Sequence, residues 1–284
     1  MERRRILRAL FGPLERAWKK WQGLGRWRNV ILFVLTVLTT FAVGGLIYSA
    51  SLMTILLAHE MGHFLMTRRY GVPASLPFFI PFLPPFGTLG AIIKMRGSMT
   101  SRRALFDIAV AGPLAGFFFT IPAIILGLKH SSVLPLSEVS VPTFRLGDSI
   151  LFLALAKVFV GIVPEGFDIF LHPVAFAGWI GLYVMALNLL PIGQLDGGHV
   201  VYALMGQRSR WAFSIALGIF ALIAWYFFRP WFFLIALILV LGLIKHPAPR
   251  DDQTPLDVKR KLIGVFMLIL FILSFTPVPF PDIL

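Results

Sequence analysis

Between Val30 and Thr67 the chain runs for 38 residues with no Lys, Arg or Asp and a single Glu, Glu60. A water-facing surface cannot be built from such a stretch. Crossing a hydrocarbon layer takes roughly 20 apolar residues in a helix. Thirty-eight fit two spans better than one, with Gly44, Gly45, Ser49 and Ser51 offering the turn. Further spans are expected from about Ala104 to Leu128 and from about Pro173 to Leu190. Arg229-Pro230 splits residues 211–244 into a helical hairpin, and Leu262 to Phe275 makes a last, short run. Ile150 to Val163 is too short to cross and reads as interfacial or re-entrant. Composition agrees: 58% of residues are hydrophobic and 14% charged, against about 45–50% and 25% in soluble domains. Intrinsic disorder is excluded, and zero cysteines exclude a disulfide scaffold, thiolate metal sites and cysteine nucleophiles. The expected class is an all-α polytopic integral membrane protein with six to seven transmembrane helices.

Charge sets the orientation. The net charge is +13, and nine of the 26 Lys and Arg fall in residues 1–28. There Arg3, Arg4, Arg5, Arg8, Lys19 and Lys20 alternate with Leu7, Leu10, Phe11, Trp18 and Trp21, the pattern of a basic amphipathic arm on an anionic membrane surface. The apolar run begins too late for a signal peptide. With seven spans and the N-terminus inside, 22 basic residues lie inside and only Lys129, Arg145, Lys157 and Arg229 outside. The positive-inside rule then gives a cytoplasmic N-terminus in a prokaryotic cell membrane, or a stromal one in a plastid. The basicity is thereby assigned to the lipid bilayer rather than to nucleic acid. Residues 1–28 read as a cytoplasmic arm and 29–284 as one membrane-embedded domain.

Charged residues inside spans are costly and ask for a reason. His59 and His63 are four apart, so on a helix they share a face and can point at one metal, with Glu60 beside them to hold and deprotonate a water. The bland alternative, a packed histidine pair, leaves Glu60 protonated or unpaired in an apolar bundle, at several kcal/mol. A zinc site needs a third protein ligand. The other carboxylate in apolar surroundings is Asp196, which the fourth span delivers to the same inner depth as His63. Gly193, Gly197 and Gly198 allow the backbone to bend there. A turn carboxylate at the membrane surface is its bland alternative.

His59-Glu60-Met61-Gly62-His63, followed by Asn188-x-x-Pro191-x-x-x-Leu195-Asp196-Gly197, resembles the site-2 protease family of intramembrane zinc metalloproteases. The segments Leu76 to Ala91 and Arg103 to Gly116 share the resemblance. It points to the compact branch of prokaryotes and chloroplasts, because the chain has no room for the PDZ or CBS domains of other relatives. The resemblance implies one zinc per chain held by His59, His63 and Asp196, with Glu60 as catalytic base. Asn188 would donate a hydrogen bond to the oxyanion or to substrate backbone, or equally make an interhelical bond.

Residues 86–93 have strand character, a small re-entrant β element near the active site. The resemblance gives it a role in pairing with an extended substrate; a plug that only packs is the alternative. The implied function is an intramembrane metalloendopeptidase that cuts membrane-spanning or signal-like peptides near the cytoplasmic face. A zinc hydrolase of lipids or small amphiphiles and a non-proteolytic binder of transmembrane helices are the competing readings. Nothing in the sequence sets an oligomeric state. Gly112 and Gly116 read as helix packing. Asp107 reads as a helix-dipole or ion-pair group near Arg102 and Arg103, His199 as a residue supporting the site, and His130, His172 and His246 as boundary residues.

Overall fold

The computed structural model describes residues 25, 27–95, 98–136, 145–240 and 248–283. Nearly all of the expected basic arm, and His246, lie outside them. The first helix, α1 (Trp27–Arg69), is interrupted at Gly45, where φ is 75° and ψ is −173°. The chain reverses there. Thr40 and Ser49 hydroxyls hydrogen-bond at 2.7 Å, and the Ser49 hydroxyl donates to the Val37 carbonyl at 3.2 Å. In a straight helix residues twelve apart would be separated by about 18 Å. The expected turn therefore rests on Gly45, while Ser49 and Ser51 belong to the second arm and Ser49 ties it to the first. The Thr36 and Thr40 hydroxyls bond back to the carbonyls of Leu32 and Thr36, so neither is left unsatisfied in apolar surroundings.

A hairpin of β1 (Phe78–Pro81) and β2 (Thr88–Ile92) lies against α1, with Phe79 opposite Ala91 and Pro81 opposite Thr88. The strand character expected in 86–93 is found in β2. Asn29 donates to the Leu76 and Pro77 carbonyls at 2.8 Å each, and the Thr39 hydroxyl donates to the Gly87 carbonyl at 2.6 Å. Next comes α2 (Arg102–Lys129), whose first turn is capped by Ser101 accepting the Ala104 N–H. A second antiparallel pair, β3 (Ser132–Pro135) and β4 (Phe167–Phe170), flanks α3 (Ile150–Phe159). The expected fold has one small β element; this second pair is additional to it. Each is four residues long, too short for alternation to stand out from an apolar sequence.

The chain continues through α4 (Pro173–Asn188), α5 (Asp196–Met205), α6 (Ser209–Tyr226), α7 (Trp231–Val240) and α8 (Val258–Ser274). Proline opens α4, where its missing N–H costs nothing. Asp257 caps α8; the Arg260 N–H and guanidinium hold its carboxyl below the ordinary carboxylate range. α1, α2 and α4 pack together as the centre, burying Tyr48, Leu52, Phe106 and Trp179. A second cluster gathers round Phe220 and Trp231. The outward faces are apolar too, with Phe118 72% and Phe233 76% exposed, as expected where lipid is the solvent. Among the described residues, three helical stretches are long and apolar enough to cross a membrane: Trp27–Arg69, Arg102–Lys129 and Asp196–Tyr226. Ile150–Phe159, Pro173–Asn188 and Trp231–Val240 are shorter apolar helices.

Gly45 occupies a region of backbone space open essentially to glycine alone, and no atom stands within 4 Å of where a Cβ would be. Gly45→Ala is therefore expected to destabilise by about 1–3 kcal/mol through backbone strain alone. Gly218→Ala, in open space within α6, should be neutral or stabilising by up to about 1 kcal/mol. Denaturation of the two variants in detergent checks the contrast.

Candidate metal centre

The second arm of α1 carries His59, Glu60 and His63, which are 3%, 4% and 6% exposed. Glycines let the neighbouring backbone close on them. A Cβ on Gly62 would strike the Ala111 carbonyl, one on Gly112 the His63 ring, and one on Gly116 the Met185 sulfur. α1 and α2 thus meet with no side-chain padding. The closeness brings the Ile108 carbonyl of α2 to 2.7 Å from His63 Nδ1. A carbonyl oxygen only accepts, so Nδ1 carries the proton and Nε2 presents a lone pair. His59 Nδ1 lies 3.1 Å from Met185 Sδ, a weak acceptor, which gives the same tautomer.

Asp196 comes from the other side. α4 ends at Asn188, and α5 starts at Asp196 after a loop that contains Gly193 at φ 56°. Gly197 and Gly198 pack directly on the Leu189, Ile192 and Gly193 carbonyls, where a Cβ has no room. The sequence reading, which has the glycines bending this segment, thus has its physical reason. The carboxylate sits in the first turn of α5, where the helix dipole favours negative charge.

The three groups converge. His63 Nε2 is 3.2 Å from His59 Nε2 and 3.1 Å from Asp196 Oδ2, and His59 Nε2 is 3.4 Å from the same oxygen. Two nitrogen lone pairs and a carboxylate at these distances call for a proton or a metal cation between them. Tetrahedral zinc with bonds of about 2.0–2.1 Å separates its ligand atoms by about 3.4 Å, so the donor set fits zinc in both chemistry and spacing. Among the described residues this is the one His/Cys/Asp/Glu group of that kind. Glu60 Oε1 lies 3.9 Å from His59 Nε2, and the Ile93 backbone, just past β2, hydrogen-bonds to its carboxylate. A cavity of about 190 Å³ opens on the group, lined also by Ala91, Ile92, Asn188 and His199.

The residues singled out around the site each have a definite place. The Asn188 amide reaches 3.4 Å from His59 Nε2, a contact between helices, and Asn188 also lines the cavity. His199 lines the cavity but is not one of the three converging groups. Asp107 is indeed ion-paired, but its partner is Arg260 of α8 rather than Arg102 or Arg103; the Arg102 guanidinium instead donates to the Ala203 carbonyl. The Ile108 carbonyl and Met185 were not anticipated. A backbone oxygen leaves no mark in sequence, and a methionine in an apolar helix looks like any other core residue.

The sequence is similar to those of known proteins. A model of peptidase family M50 matches residues 47–228. The chain is 30% identical over 267 residues to a protein named probable zinc metalloprotease EGY2, chloroplastic, from Oryza sativa subsp. indica, covering 89% of this chain and 47% of that protein. It is 31% identical over 239 residues to the Arabidopsis thaliana protein of the same name, with 80% and 40% covered. To probable zinc metalloprotease EGY1, chloroplastic, of Arabidopsis thaliana it is 29% identical over 251 residues, covering 86% and 45%. The chain spans less than half the length of these curated relatives.

The glycine contacts can be ranked by what must yield. Gly112→Ala presses on a ring held by its bond to Ile108 and should destabilise the metal-free protein by about 1–3 kcal/mol. Gly116→Ala presses on the flexible end of Met185 and should cost less. Equal costs in a chemical denaturation series would show that the His63 ring is not rigidly seated.

Proposed function

Because the chain belongs to peptidase family M50, we propose that it is an intramembrane zinc endopeptidase acting on membrane-spanning or signal-like peptides. The convergence of His59 Nε2, His63 Nε2 and Asp196 Oδ2 beside Glu60, within an apolar helix bundle, carries this reading. His59, His63 and Asp196 would hold one zinc ion. Zinc bound there supplies a Lewis acid that polarises the scissile carbonyl and acidifies the attacking water. Glu60 is the proton carrier: its carboxylate accepts the water proton and returns it to the leaving amine. The Asn188 amide is the donor for the developing oxyanion or the substrate backbone.

A helical substrate must be extended before its carbonyl is accessible. β2 has β1 on one side, and its end, Ala91 and Ile92, borders the cavity. Pairing of substrate backbone with β2 is the means of extension that this arrangement favours. A lipid has no backbone to pair, so a peptide is the better match. The six-to-seven-span topology rests on the apolar runs, the cytoplasmic N-terminus on the distribution of basic residues, and a cut near the same face on His63 lying five residues before Arg68. The relatives are named as chloroplastic, and by that similarity the basic face is stromal; in a prokaryotic cell membrane it is cytoplasmic.

Metal content and turnover test the reading separately. The purified chain should hold about one zinc, lost in Asp196→Ala. Glu60→Gln should keep its zinc while cleavage of a transmembrane peptide falls by about 10²-fold or more. Undiminished zinc in folded Asp196→Ala, or wild-type cleavage by Glu60→Gln, would overturn these assignments.

A further inference from the structure

Asp107 stands one residue before Ile108, whose carbonyl takes the His63 Nδ1–H. Its carboxylate is gripped from two sides. Arg260 donates from Nε to Oδ1 and from Nη2 to Oδ2, each at 2.7 Å, and the Tyr70 hydroxyl donates to Oδ2. Tyr70 immediately follows the end of α1, seven residues beyond His63. Arg260 lies in the first turn of α8, 153 residues from Asp107 and outside the stretch that the family model matches. Arg260 is itself held, because its guanidinium also pairs with Asp257 and its N–H donates to the same carboxylate at 3.0 Å.

α1 and α2 are therefore joined at two neighbouring points. One is the His63 bond to the Ile108 carbonyl; the other is the Tyr70 bond to Asp107. The first selects the imidazole tautomer and its tilt. The second, with Arg260 behind it, holds the turn of α2 from which that carbonyl projects. A guanidinium bound to a carboxylate through two parallel N–H groups fixes direction as well as distance, which an ammonium cannot.

We propose that Arg260 is a positioning residue for His63, acting through Asp107 and the Ile108 carbonyl. The proposal rests on His63 being a zinc ligand. It makes zinc affinity depend on a residue of α8 that never touches the metal. A staple that only stabilises the fold would lower the melting temperature and leave the zinc affinity of the folded protein unchanged.

The full chain in detergent micelles, titrated with zinc against a chromophoric chelator, separates the two roles. Cobalt(II) absorption on the same samples reports ligand geometry. Arg260→Ala and Asp107→Asn should each weaken zinc binding about 10-fold and alter the cobalt spectrum, with Arg260→Lys recovering only part of the loss. The double variant Asp107→Asn with Arg260→Ala should bind no worse than either single one, because both remove the same contact. Helix content by circular dichroism confirms folding; if Arg260→Ala does not fold, the gentler Arg260→Lys and Asp107→Asn decide. Wild-type zinc affinity and cobalt spectrum in those two folded variants would overturn the proposal. A wild-type chain that binds no zinc would instead remove the metal reading beneath it.

Discussion

Two imidazole nitrogens and a carboxylate oxygen, 3.1 to 3.4 Å apart in a nearly dry helix bundle, stay together only if a positive charge balances them or the surrounding structure holds them. Water would screen their interaction at a protein surface; burial of both histidines weakens that screening. The architecture around the group can be understood as the holding. α1 supplies both histidines on one face, α2 pins one of them through a backbone carbonyl, and α4 ends early so that the Asp196 helix can begin at the right depth.

The parts of this arrangement that were legible in sequence are those written as local patterns. His59 and His63 at a four-residue spacing declare a shared helix face, and Glu60 between them is conspicuous in an apolar run. Asp196 was reachable by a longer argument, from span direction and matching depth. The break at Gly45, the Arg229-Pro230 hairpin and the strand at 88–92 were also announced by their residues. The pairing of Asp107 with Arg260 was not, because 153 residues separate them and Arg102 and Arg103 stand nearer along the chain. The β3–β4 pair has no such signal, because strands of four residues are too short to show a period.

Burial and access make opposite demands on such a centre. Glu60 is 4% exposed, yet the proposed chemistry needs a peptide and a water to reach it. The 190 Å³ cavity bordered by Ile92 and Asn188 reconciles them in part. Its walls come from the end of β2 on one side and from the broken α4–α5 connection on the other. Both are segments where the backbone is not locked into a long helix. Loops set beside rigid helices are where adjustable sites are commonly built.

The seam between α1 and α2 has a mechanical corollary. Gly62 lies against the Ala111 carbonyl and Gly112 against the His63 ring, so neither helix can slide without driving backbone into backbone or ring. Packed surfaces of this kind resist shear, and displacement is taken up where packing is looser. The two histidines therefore ride on a fixed anvil. Added bulk at Gly62 or Gly112 has to part the two helices, and with them His63 from the Ile108 carbonyl.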